Sequence, residues 1–292
     1  MITSDWHQHS HHSVDCRQTG RSLERLATEM AALRVEQFGV TDHVHTPQNL
    51  PDLAASRTAF SARPWAPGFR FGVELSVVSR WELEELEAGR GGEAPYGLRS
   101  GGPEAAAPAL ALEAQHLVEY GIEYVVGGTH WPLYVPLEPE AVIRDYHRQN
   151  LFLATHPLVT IVAHPWWWMG GWQDADGMYR GDPWLDDFGK VPPSMHGEFV
   201  AAVLGHGKVV EANLGACLCN ATYPERFRRQ YAEILAEWQE RGVPLAIGSD
   251  DHGGGLAPLG RLYQAGEALL SAAGVRLADL WQLPPRQVSS AG

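Results

Sequence analysis

The chain has 292 residues, long for a single domain but usual for one barrel of alternating strands and helices, and its 45% hydrophobic content supplies one sizeable core. A formal net charge of −13 excludes the basic surface that nucleic-acid binding requires, although bound divalent cations would neutralise part of that charge. The opening Met-Ile-Thr-Ser-Asp-Trp-His has neither the basic start nor the apolar core of a signal peptide, and no run reaches membrane-spanning length, so a cytoplasmic protein without membrane contact is expected.

Short apolar runs alternate with helical patterns from end to end. A brief first strand precedes His7, and Leu23, Leu26, Met30 and Leu33 then recur at helical spacing. Residues 37–41 and 69–76 read as the second and third strands, and 79–88 as a helix rich in Glu and Leu. The Ala-rich stretch 104–120 reads as a helix closed by Gly121, and 122–127 as the fourth strand. A helix over 138–155 leads to a fifth strand at 158–163. Strands at 208–212 and 243–248, each preceded by helical sequence, are followed by a last helix over about 261–273. Seven strand-then-helix units without a long linker imply one parallel sheet closed into a (β/α)7 TIM-like barrel, a single domain over residues 1–292. Two stretches interrupt the alternation. Residues 90–103 are Gly-rich and read as a surface loop, and 166–190 carry Trp166, Trp167, Trp168, Trp172 and Trp184. Such an aromatic loop either walls a substrate pocket or forms a satellite hydrophobic cluster.

Side chains able to bind metal fall at the ends of these strands. They occur in Asp5-Trp6-His7-Gln8-His9, Thr41-Asp42-His43, Val73-Glu74, Thr129-His130, Ala163-His164 and Asp250-Asp251-His252. On a strand, residues two apart project to one side, so His7 with His9 and Asp250 with His252 each aim two ligands at one place, while Asp251 faces away. Imidazole and carboxylate ligands without thiolates suit Zn, Fe or Mn in a hydrolytic site. Cys217 and Cys219 lack further Cys or His at set spacing and read as packing residues, and with Cys16 they form no disulfide framework.

Together these residues resemble the PHP family, named for polymerase and histidinol phosphatase, over nearly the whole chain. The resemblance implies a distorted barrel with two or three divalent metal ions at the C-terminal ends of its strands. It assigns His7, His9 and Asp250 to one metal, with Glu74 bridging to a second that His130 and His164 complete. It assigns His43, His252 and an acidic residue to a third. Asp15 fits that last place by type and spacing, and His12 is the alternative. Asp42 reads as a partner orienting a ligand. His11 and His45 lie near the mouth, within reach of substrate, whereas His116, His147, His156, His196 and His206 read as ordinary histidines.

The implied function is a phosphoesterase acting on a small phosphorylated metabolite through a metal-bridging hydroxide, with Glu74, Asp250 and His252 as the catalytic core. Arg17 and Arg261 are the expected phosphate clamps, with Arg57 and Arg63 as further candidates, and Trp166 the expected aromatic contact. Val210-Glu211-Ala212-Asn213 resembles the Glu-x-Asn of histidinol phosphatases, which makes histidinol phosphate one candidate substrate. Two alternatives stand beside this reading: amidohydrolase-type C–N hydrolysis on the same metals, and a non-catalytic metal-stabilised module.

Overall fold

The computed structural model describes residues 1–98, 100–167 and 187–286. In chain order its elements are β1 (Ser4–Asp5), α1 (Leu23–Leu33), β2 (Gln37–Val40), β3 (His43–Val44), α2 (Leu50–Ser61) and β4 (Phe69–Ser76). There follow β5 (Val78–Ser79), α3 (Arg80–Glu87), β6 (Pro108–Ala109), α4 (Ala114–Glu119), β7 (Tyr124–Gly128) and α5 (Pro139–Thr155). The chain continues through β8 (Ile161–Ala163), α6 (Pro193–Gly205), β9 (Val209–Asn213), α7 (Glu225–Glu240), β10 (Leu245–Gly248) and α8 (Leu256–Ala272).

The main sheet runs β1-β2-β4-β7-β8-β9-β10, every pairing along it parallel, and β3 continues beside β4 with His43 opposite Glu74. The last strand returns to the first. Trp6 N–H donates to Ile247 O at 2.9 Å, Asp250 N–H to His7 O at 2.8 Å, and Gln8 bridges Asp251. Seven strands thus form a TIM-like barrel. All eight residues of β4 are buried, because one face lines the barrel and the other meets helices.

Local chemistry accounts for the elements. Helix α1 begins at Ser22, whose side chain accepts from Arg25 N–H, buries Leu23, Leu26 and Met30, and ends at Arg34 with φ 59°. Helix α3 starts with a capping box between Ser79 and Glu82. The Ala-rich stretch 104–120 departs from the expected single helix. Pro108 cannot donate from a helix interior, so Pro108–Ala109 pairs antiparallel with Val78–Ser79, and only Ala114–Glu119 is helical. Gly121 does cap it, with φ 58°.

The large core lies between barrel and helices, with Leu26, Phe71, Tyr146, Phe199, Tyr231 and Trp238 among its buried members. A smaller cluster of Trp6, Tyr124, Val126, Ile161, Val209 and Ala246 fills the barrel, and Trp281 and Leu283 from the C-terminal segment pack against it. Tyr124 donates to Trp6 O at 2.9 Å across the barrel. Its ring occupies space that a Cβ at Gly39 or Gly72 would need. No helix among the described residues is long and apolar enough to cross a membrane.

Candidate metal centre

Six strands, β1, β3, β4, β7, β8 and β10, carry candidate metal-binding side chains at or just beyond their C-terminal ends. His7 and His9 follow β1, His43 sits on β3, Glu74 on β4, His130 follows β7, His164 follows β8, and Asp250 and His252 follow β10. The centre of the group is Glu74, fully buried in β4. Its Oε2 lies 2.9 Å from His7 Nε2, 2.9 Å from His43 Nδ1 and 3.5 Å from His9 Nε2. Its Oε1 lies 3.2 Å from His130 Nε2 and 3.1 Å from His164 Nε2. One carboxylate therefore turns an oxygen to each of two sets of imidazoles. Asp250 Oδ1 approaches His9 Nε2 at 3.2 Å and His7 Nε2 at 3.5 Å.

A further group gathers around Asp15, whose Oδ2 is 2.8 Å from His252 Nε2 and 3.2 Å from His43 Nε2. His12 instead stacks beside His11, so it is Asp15 that the structure brings to this group. His43 stands between the two groups, one nitrogen toward each. Three sets of ligand atoms lie close enough to hold an ion: His7, His9 and Glu74; His43, Glu74 and His130; and His9, Asp15, His43 and His252.

The side chains fit divalent cations on their own chemistry. His7 Nε2, His43 Nδ1 and Glu74 Oε2 face one another and are all buried without a hydrogen-bond partner. Leaving that many polar atoms unsatisfied is costly, and a cation set among them removes the cost. Burial opposes ionisation of Glu74 and Asp250, yet neighbouring histidines hold both carboxyls well below the usual range. Burial likewise works against protonation of His7 and His43, but Glu74 and the other carboxylates raise both imidazoles well above their ordinary value. The same carboxylates that favour a proton on these imidazoles would favour a cation in its place.

Hydrogen bonds from neighbouring residues orient the candidate ligands. Glu211, inside β9, places Oε1 2.7 Å from His7 Nδ1, while its Oε2 accepts from His164 N–H at 2.8 Å and Asn213 Nδ2 at 3.0 Å. Asp5 Oδ1 accepts from His7 N–H at 3.1 Å and Ser249 N–H at 3.0 Å. Two candidate ligands adopt the left-handed backbone region, His164 with φ 27° and Asp250 with φ 55°, and the Glu211 and His7 O contacts of their N–H groups help to hold them there. Gly128 lets His130 and His164 converge, since a Cβ there would come within 2.7 Å of His164 Cε1 and 2.9 Å of Glu74 Oε1.

Several expected roles change. The Asp42 carboxylate orients no candidate imidazole; only its backbone O meets the group, accepting from Glu74 N–H at 3.3 Å. The carboxylate accepts from Ser10 N–H at 2.6 Å, Ser10 Oγ at 2.8 Å and Ser56 Oγ at 2.6 Å, and so fixes the turn after His9 to α2. Asp251 does face away, where Arg21 Nη2 meets it at 3.0 Å.

A cavity of about 500 Å³ opens over the histidines, lined by Asp15, His43, His45, Tyr96, His130, Trp131, Trp167, Gly215, Ala216, Asn220, Asp250 and His252. Trp166 is not on this wall. It is fully buried against His147 and His196, while Trp167 stands 4.8 Å from the His164 ring and lines the cavity. Trp168, Trp172 and Trp184 lie outside the described residues. No arginine lines the cavity among the described residues. Arg17 pairs with Asp52 at 2.7 and 2.9 Å, and Arg261 is exposed on α8. Arg57 and Arg63 line a separate cavity with Trp65, Gly121 and Arg286, near the N-terminal ends of β4 and β7.

Two positions at the candidate site, Tyr96 and Trp131, escaped the sequence reading, and a third, Glu211, was read only in part. Tyr96, the one aromatic residue in the Gly-rich loop, reaches the cavity because that loop folds inward: Ala94 N–H donates to Gln48 Oε1 at 2.7 Å and Leu98 N–H to Glu82 Oε1 at 2.7 Å. Trp131 is marked only by standing next to His130. Glu211 carried a signal, the Glu-x-Asn pattern, without its contact to His7.

No protein-family model matches this chain, and no curated protein sequence is similar to it. Among solved structures, it is similar to an archaeal fructose 1,6-bisphosphate aldolase at 9% identity and a TM-score of 0.41, covering 91% of this chain and 94% of that one.

Proposed function

We propose that the chain is a metal-dependent phosphoesterase of the PHP type, acting on a small phosphorylated metabolite. The observation that carries this reading is Glu74: one buried carboxylate with its two oxygens turned to two sets of imidazoles, beneath a cavity. His7, His9 and Asp250 would hold one cation with Glu74, His130 and His164 a second, and Asp15, His43 and His252 a third. The nitrogen and oxygen donor set, free of thiolate, suits Zn, Fe or Mn. When bound, such cations lower the pKa of water toward neutrality and neutralise charge on phosphoryl oxygens.

The chain's own residues do the rest. Glu211 orients His7, and the backbone contacts of His164 and Asp250 fix the angle at which their side chains enter the site. Tyr96, Trp131 and Trp167 form an apolar wall suited to a planar leaving portion, since aromatic faces stack on flat groups. Histidinol phosphate, with its imidazole ring, is one candidate. A second reading, hydrolysis of a C–N bond on the same metals, is favoured by one feature: no Lys or Arg lines the cavity among the described residues.

Stripping metal with a chelator should abolish hydrolysis of p-nitrophenyl phosphate, and Mn, Fe or Zn should restore it. Glu74→Gln should lower metal occupancy and rate together. Full activity in stripped protein would refute the proposal, and hydrolysis of amides without phosphomonoesters would favour the second reading.

A further inference from the structure

His45 lies just past β3, is buried, and lines the cavity two residues beyond His43. Its ring stacks at 4.4 Å on His43 and stands 5.3 Å from Tyr96 and 5.4 Å from Trp131. Nδ1 is 2.6 Å from Ser76 Oγ, and that same hydroxyl is 2.8 Å from His130 Nδ1. On the far side of the ring, Nε2 is buried without any partner.

The serine couples the two imidazoles. A hydroxyl has one hydrogen to give, so between two ring nitrogens it donates to one and accepts from the other. His130 turns Nε2 toward Glu74 Oε1 at 3.2 Å, the nitrogen that would hold a cation if the metal reading is right. That nitrogen must then present a lone pair, so the His130 proton sits on Nδ1 and is donated to Ser76. Ser76 in turn donates to His45 Nδ1. The neutral His45 ring is left with its proton on Nε2, a buried atom without an acceptor on a residue that lines the cavity. A buried N–H in that position stays unsatisfied, at a cost, until something accepts from it.

We infer that His45 is a substrate-binding residue, held by the His130–Ser76 relay in the Nε2–H tautomer to donate a hydrogen bond to a phosphoryl oxygen. It supplies a neutral donor in a cavity whose described lining holds no Lys or Arg. The inference rests on the proposed metal site and phosphoryl chemistry and adds a residue and a proton position to them.

The test uses zinc-loaded full-length protein, with inorganic phosphate as the probe in calorimetry and ¹⁵N-labelled histidine in NMR. His45→Phe should keep its zinc content and lose phosphate affinity by about tenfold, the scale of one hydrogen bond to a charged oxygen. His45→Gln, which can still donate, should recover most of that loss. Ser76→Ala should weaken phosphate binding with His45 intact. In the wild type the His45 nitrogens should report a proton on Nε2, and Ser76→Ala should shift the ring toward a mixture of tautomers. Phosphate affinity unchanged in a zinc-replete His45→Phe protein, or a proton fixed on Nδ1, overturns the inference alone. A wild type that takes up zinc and binds no phosphate overturns the phosphoryl reading as well, so the two failures are told apart.

Discussion

Replacing Glu211 by Gln tests whether the buried histidine cluster is built for metal. Glu211 Oε1 faces His7 Nδ1 at 2.7 Å, while Oε2 accepts from both His164 N–H and Asn213 Nδ2. Gln is nearly isosteric, but one oxygen becomes an NH₂ that can only donate. Turned toward His164 and Asn213, that NH₂ would oppose two donors and leave both unsatisfied, at roughly 1–3 kcal/mol each. Turned toward His7, it makes Nδ1 the acceptor and moves the ring proton to Nε2, the nitrogen that faces Glu74. The second orientation is the cheaper, and it blocks His7 as a ligand. Loss of such an orienting partner typically weakens metal binding 10- to 100-fold, or about 1.4–2.7 kcal/mol. Calorimetric titration of Zn or Mn into stripped wild type and Glu211→Gln would read this directly, with bound metal counted by elemental analysis. A folded variant whose affinity and stoichiometry match the wild type would refute the assignment of His7 as a ligand oriented by Glu211.

The aromatic residues should separate by position: Trp131→Ala or Trp167→Ala should raise KM for an aryl phosphate with kcat less affected, because stacking away from the reacting bond contributes uniform binding. Trp166→Ala should instead cost stability, about 3–5 kcal/mol for a fully buried indole, with kinetics unchanged in the protein that stays folded. Gly72→Ala would push a Cβ to within 2.6 Å of the Tyr124 ring, and denaturant titration should show a loss of about 1–3 kcal/mol. Burial, with His147 and Arg241 nearby, pulls the His196 imidazole down from 6.5 to about 4. The fold then binds fewer protons than the unfolded chain, so this stabilisation is complete above pH 6.5 and declines as pH falls toward 4, by about 3 kcal/mol in all. His196→Phe should flatten that acid limb relative to wild type in urea titrations, and parallel curves would exclude His196 as its source.

The strand-end position of the ligands was legible because it depends on local sequence. A brief strand ends just before His7, and strand-length apolar runs end just before His164 and Asp250. The two-residue spacing is not strand alternation, however: β1 ends at Asp5, β10 ends at Gly248, and Asp250 is left-handed with φ 55°. Barrel architecture was legible for the same reason, since apolar runs of strand length alternate with helical patterns. Helix α2 was not, because Leu50, Leu53, Ala54, Ala59 and Phe60 fall on several sides of it and show no period. The stretch 104–120 misled because composition favours helix while Pro108 and its pairing with Ser79 do not.

What tertiary structure alone decided concerns distance across the barrel. Asp42 and Glu211 are both buried acids beside candidate ligands, yet only Glu211, more than 200 residues from His7 in sequence, reaches a ligand imidazole. Trp166 and Trp167 are adjacent and alike in type, but the left-handed backbone at Trp166, φ 71°, turns one indole into the core and leaves the next at the cavity. The sharing of one serine hydroxyl between His45 and His130, 85 positions apart, likewise follows from the closing of the ring. Local sequence fixes which way a side chain leaves its own strand; which atom it then meets depends on strands brought together by the barrel's closure.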